Sequence, residues 1–185
     1  MKTIDQSLDV IQKNAGIFFL RSGVQDNRQA FIPSNDSLRV ENVCPLNLSK
    51  EVHPFAIRSN TNGRGRVVSV WHISGSGVWN LLGRYSPNPF QEFYPIRDKN
   101  TTIEPNDWLA MRCTYFNDLD HDVYFGRDDS TETCNSYIMY YADGDDPFGN
   151  SVCSALNSWV NEPNLPGGYV PDWVERESSR LDFDN

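Results

Sequence analysis

Short runs of β-branched and aromatic residues recur along this chain, each cut off by a cluster of Gly, Pro, Asn or Asp. Runs that brief give a helix too few turns for a buried stripe, but they suit strands. The clearest is Val67-Val68-Ser69-Val70-Trp71-His72-Ile73, followed by Gly75-Ser76-Gly77 and then Val78-Trp79-Asn80-Leu81-Leu82, a hairpin pattern. The same rhythm predicts strands over Ala15–Arg21, Ser37–Val43, His53–Asn60, Gly65–Ser74, Val78–Tyr85, Phe90–Pro95, Trp108–Tyr115 and Asn135–Tyr141. Residues 117–132 are acidic and without period, which predicts a long loop, and Ala155–Val160 offers one helical turn at most. The expected fold is an all-β sandwich or jelly roll, with a charged, frayed tail or linker after Pro171.

A length of 185 residues suits one domain with a proper core. The net charge of −9 argues against a nucleic-acid partner, which requires a basic stripe to displace counterions. No apolar run approaches the roughly 20 residues of a membrane-spanning helix. Cys44, Cys113, Cys134 and Cys153 form no CxxC pair, and an even number at wide spacing predicts two disulfides with three possible connectivities. Three glycosylation sequons begin at Asn35, Asn47 and Asn100. Together these features predict a secreted protein or one in the secretory-pathway lumen. Met1-Lys2-Thr3 leads into a polar segment instead of the apolar core of a signal peptide, so an excised domain or partial gene product is expected.

Chemistry-bearing motifs are sparse. His53, His72 and His121 have no histidine at i+2, i+3 or i+4, which excludes HxH and HExxH metal motifs. His53 and His72 are expected to be structural imidazoles, and His121 to sit in a solvated acidic loop. Asp143-Gly144-Asp145-Asp146 lacks the later glutamate of an EF-hand loop. There is no GxSxG, P-loop or GxGxxG, and the cysteines look structural. One constellation stands out. Alternate strand residues share a face, so Arg58, Asn60 and Asn62 point together, as do Thr133, Asn135, Tyr137 and Met139. A guanidinium with amide and phenol donors suits a carboxylate.

These same segments carry a family resemblance. Leu81-Leu82-Gly83-Arg84-Tyr85-Ser86-Pro87 with Phe93-Tyr94-Pro95 is similar to an "LIGR-x-SP…FYP" stretch. Asp107 through Cys113 resembles "GD-x-LA-x-RC", Cys134 through Tyr141 resembles "CN-x-YIMYY", and Arg66-Val67-Val68-Ser69 resembles "KVVS". All belong to the C-terminal domain of peptidylglycine α-hydroxylating monooxygenase, a copper type II, ascorbate-dependent enzyme related to dopamine β-monooxygenase. The resemblance implies an antiparallel jelly-roll domain over residues 14–170, between an N-terminal extension (1–13) and a charged tail (171–185). It also implies the pairings Cys44–Cys153 and Cys113–Cys134.

The family hydroxylates a peptide C-terminal glycine with O₂, ascorbate and two coppers, one in this domain and one in a separate N-terminal domain. The resemblance places the first copper's ligands, two histidines and a methionine, at Asn60, Asn62 and Thr133. All three are replaced here by poor copper ligands. The family's carboxylate-binding arginine, asparagine and tyrosine match Arg58, Asn135 and Tyr137. The expectation is a catalytically inactive, copper-less homologue, with no cofactor of its own, that binds a peptide with a free C-terminal carboxylate. One alternative is a fragment or subunit of an active copper and ascorbate-dependent enzyme, working beside a separate N-terminal copper domain. A second is a secreted structural or interaction domain that makes contact through its acidic loop and surface aromatics.

Overall fold

A computed structural model describes residues 13–26, 29–87, 92–145, 147, 151–155 and 158–180. The strands are β1 (Lys13–Ser22), β2 (Phe31–Ile32), β3 (Ser37–Pro45), β4 (His53–Asn60), β5 (Gly65–Ile73), β6 (Trp79–Tyr85), β7 (Tyr94–Pro95), β8 (Trp108–Phe116), β9 (Val123–Tyr124), β10 (Asn135–Asp143) and β11 (Val152–Ala155). One helix, α1 (Asp172–Glu177), follows. The larger sheet has the order β11-β1-β10-β4-β7, the second has β3-β8-β5-β6, and β2 pairs with β9 alone. Ladders are antiparallel except β1–β11. The all-β expectation and its two disulfides hold.

Strand alternation builds the core between the sheets. Phe18 and Leu20 of β1, Ile57 of β4 and Ile138 of β10 pack with Val68, Val70, Leu82 and Met111 of the second sheet in one buried cluster. The Cys44–Cys153 disulfide ties β3 to β11 and so joins the two sheets, and Cys113–Cys134 ties β8 to the entry of β10. Both pairings are those the resemblance implies.

β5 is buried on both faces because a second core covers the outer side of its sheet. Trp71, Ile73, Trp79 and Val43 pack there against Trp159, Leu165 and Val174 from the C-terminal segment. Backbones come close at Gly77, where a Cβ would stand 2.6 Å from Cα of Gly167, and both glycines have positive φ.

This second core corrects the frayed tail expected after Pro171. Val174 is fully buried, and Trp173 meets Trp71 edge to face with ring centres 5.5 Å apart. Two of its carboxylates are paired with arginines of the second sheet. Glu175 accepts a hydrogen bond from Arg112 at 2.7 Å, and Glu177 accepts one from Arg84 at 2.6 Å. The amphipathic repeat of a six-residue helix is too short to be visible in sequence. Residues 181–185 lie outside the described residues.

Smaller differences have local causes. Only Tyr94–Pro95 of the predicted strand Phe90–Pro95 is extended and paired, while positions 90 and 91 lie outside the described residues. Ala155 ends β11, and the helical turn falls later as a 3-10 turn at Trp159–Asn161. The acidic stretch 117–132 is anchored at Asn117, whose amide donates to the carbonyls of Ile32, Pro33 and His121. It also contributes β9 and the buried Phe125.

Candidate functional site

The predicted polar faces of β4 and β10 lie side by side on the outer face of the larger sheet. Tyr137 stands directly opposite Arg58, and Asn135 opposite Asn60. On the other flank of β10, Phe19 pairs with Tyr137 and Arg21 with Asn135. The Phe19 and Tyr137 rings stack at 4.7 Å, and the Arg58 guanidinium carbon lies 5.3 Å from the centre of the Tyr137 ring. Tyr137 is therefore held between an aromatic ring and a cation. Beneath this face, Ser59 and Ser136 share a buried hydrogen bond of 2.9 Å that locks the two strands.

The expected strand continuation to Asn62 does not occur, because β4 ends at Asn60. Asn62 is nevertheless brought to the entry of β10. Its side-chain amide donates to the Thr131 carbonyl, and its backbone N–H donates to Glu132 Oε2 at 2.9 Å. Glu132 Oε1 accepts the backbone N–H of Arg64 at 2.5 Å, so one buried carboxylate holds the whole β4–β5 turn. Burial pushes the Glu132 carboxyl above its ordinary range, against the opposing pull of the N–H groups of Arg64, Asn62 and Thr133. Tyr115, fully buried, donates to the Thr133 carbonyl at 2.6 Å. Its phenol is pushed well above the usual range by burial, and further by the nearby Glu132. Thr133 Oγ1 is buried without a hydrogen-bond partner.

The structure thus clusters Arg58, Asn60, Asn135 and Tyr137 directly, and joins Asn62 to the segment that ends at Thr133. Two supports escaped sequence reasoning. Phe19 was legible only as an outward residue of β1. Glu132 was hidden in an acidic stretch whose other carboxylates are mostly exposed.

The donor set at positions 60, 62 and 133 does not suit copper. Two amides and a hydroxyl are neutral, hard donors where copper favours imidazole and thioether, and the Asn62 amide is already engaged. Among the described residues, no three His, Cys, Asp or Glu side chains gather to hold a metal ion. His121 contacts Asp120, and His53 stacks on Tyr141. His72 is only half satisfied. Its Nε2 lies 2.7 Å from Asp107 Oδ2, while Nδ1 is buried without a partner.

Two sheets tied together by a disulfide, with polar rows on the outer face of the larger one, define a disulfide-bonded all-β domain. The chain belongs to the copper type II ascorbate-dependent monooxygenase family: residues 13–162 match the model of that family's C-terminal domain. It is 37% identical over 112 residues to peptidyl-glycine alpha-amidating monooxygenase A of Xenopus laevis, covering 60% of this chain and 12% of that protein. It is 35% identical over 130 residues to peptidyl-glycine alpha-amidating monooxygenase of Mus musculus, covering 66% and 13%. With peptidylglycine alpha-amidating monooxygenase of Rattus norvegicus the figures are 30% over 141 residues, 72% and 14%. The chain therefore spans about an eighth of the length of these relatives.

Proposed function

We propose that this domain binds the C-terminal carboxylate of a peptide through Arg58, Asn135 and Tyr137 and performs no copper chemistry. The observation that carries the reading is the β4–β10 register, which sets Arg58 across from Tyr137 and one row from Asn135. In this reading the guanidinium receives the carboxylate as a charge-assisted pair, contributing about 1.5–3 kcal/mol. The Asn135 amide donates a further hydrogen bond. The Tyr137 ring, pinned by Phe19, positions the cation. Preorganisation matters because association itself costs several kcal/mol. The replaced ligands at Asn60, Asn62 and Thr133 support the absence of copper, and with it of ascorbate-driven turnover.

The test is calorimetric titration with a peptide ending in glycine and with its C-terminally amidated twin. Binding of the acid and not of the amide supports the reading. Equal binding of both, or of neither, removes the carboxylate's role and favours an interaction domain that uses other surfaces.

A second reading rests on the short coverage of the relatives: the chain acts as part of a larger copper and ascorbate-dependent peptidylglycine monooxygenase, beside a separate N-terminal copper domain. Oxygen consumption with copper, ascorbate and a peptidylglycine distinguishes it. Two disulfides and the exposure of Asn35, Asn47 and Asn100 support a secreted or lumenal setting with glycosylation at these sequons. No helix among the described residues is long and apolar enough to cross a membrane.

A further inference from the structure

A cleft of about 780 Å³ runs along β6, the edge strand of the second sheet, on the other side of the molecule's inter-sheet core from the Arg58 face. That volume falls within the roughly 300–1,000 Å³ usual for small-molecule sites. Part of its wall, Trp173, Glu177 and Arg180, lies beyond the residues that match the family.

Its chemistry is specific. Trp173 is 44% exposed and braced edge-on by Trp71, which leaves part of an immobilised indole open to the cleft. The guanidiniums of Arg97 and Arg180 are offset by the carboxylates of Asp98 and Glu177, so the lining favours neither an anion nor a cation. Behind the cleft wall, Trp71 Nε1, Trp79 Nε1 and His72 Nδ1 are buried without hydrogen-bond partners and are closed to a ligand, so the polar contacts fall to the rim. His72 is held in place by Asp107, itself fixed by the N–H groups of Gly75 and Glu104. An aromatic shelf beside balanced donors and acceptors suits a neutral polyhydroxylated ligand, whose C–H face packs on the indole while its hydroxyls meet the polar rim.

A source of that ligand stands on the rim. The sequon Asn100-Thr101-Thr102 belongs to the same loop as Asp98, and Thr101 and Thr102 line the cleft while Asn100 is exposed beside them. The loop is closed by Asp98, which accepts the Asn100 N–H at 2.9 Å through its carboxylate and the Thr101 hydroxyl at 2.8 Å through its carbonyl. We propose that the β6 cleft is a carbohydrate-docking groove whose occupant is the N-linked glycan of Asn100, laid against Trp173. The inference rests on the lumenal reading above and is independent of carboxylate binding at Arg58.

The experiment uses the whole chain expressed through an animal-cell secretory pathway. Peptide mass spectrometry scores occupancy at Asn35, Asn47 and Asn100, and native endoglycosidase digestion times the release of each glycan. The Asn100 glycan should be released about tenfold more slowly than that at Asn47, as for an exposed state about one-tenth populated. Trp173→Ala should abolish that protection. Arg97→Ala, at an exposed cleft residue that is not part of α1, should weaken it. Occupancy at Asn35 or Asn47 with none at Asn100 overturns the proposal, and so does equal release from native wild-type protein. Absence of glycan from all three sites overturns it together with the lumenal reading and leaves the peptide titration unaffected.

Discussion

Arg58 stands directly across the β4–β10 ladder from Tyr137, with its guanidinium carbon 5.3 Å from the centre of the phenol ring. The pairing places a cation on an aromatic support that Phe19 braces from the far side. A site arranged this way should depend on the fork of the guanidinium as well as on its charge.

Arg58→Ala should weaken binding of a glycine-terminated peptide by roughly 10- to 150-fold, the equivalent of about 1.5–3 kcal/mol. Arg58→Lys keeps the charge, loses the bidentate geometry and should fall between the two. Calorimetry measures both, with circular dichroism confirming the fold. Unchanged affinity in Arg58→Ala would place the carboxylate elsewhere.

Restoring nitrogen and sulfur donors should create a copper site. The triple variant Asn60→His, Asn62→His, Thr133→Met is expected to hold Cu(I) against a chromophoric chelator, while the wild type yields it. Removing the Asn62 amide also removes its contact with the Thr131 carbonyl, so the folded state must be checked by thermal unfolding. A folded triple variant without copper affinity would show that these three positions do not converge.

Arg112 is 1% exposed and reaches both Glu41 and Glu175, with its guanidinium carbon 4.5 Å from the centre of the Trp159 ring. Arg112→Ala leaves Glu41 without its cation and Glu175 with only the exposed Arg39 at 4.0 Å, and should cost about 3–5 kcal/mol in denaturant unfolding. Glu41 also accepts the N–H of Trp159 at 2.8 Å, so the loss should be felt in the second core as well as in β8.

Acid should loosen the C-terminal helix. Glu177 is held below its ordinary value of 4.5 chiefly by its hydrogen bond from Arg180, with Arg84 adding to the effect. A carboxyl depressed in the folded state contributes stability that is present above its unfolded value and lost as the pH falls through its folded one. The window therefore lies below about 4.5, and the effect is small because the group is partly exposed to solvent. Fluorescence of Trp173 should change in that range, and Glu177→Gln should remove the Glu177-dependent part of the change.

Much of the architecture was legible because strand alternation is a local property. The outward rows Arg58–Asn60 and Asn135–Tyr137 followed from a period of two, and the structure needed only to pair them. The family motifs brought the disulfide pairing with them. Glu132 was not legible, since a carboxylate in an acidic stretch gives no sign that two backbone N–H groups from a distant turn will close on it.

The amino-acid sequence by itself determined that this is an all-β domain with paired cysteines, and that amide and hydroxyl side chains occupy positions 60, 62 and 133. Local periodicity and residue chemistry are sufficient for both. Tertiary structure alone decided that Tyr137 is clamped between Phe19 and Arg58, that residues 158–180 seal the second sheet, and that the Asn100 loop borders a tryptophan-walled cleft. Each of these depends on contacts between segments far apart in the chain, which no local pattern encodes.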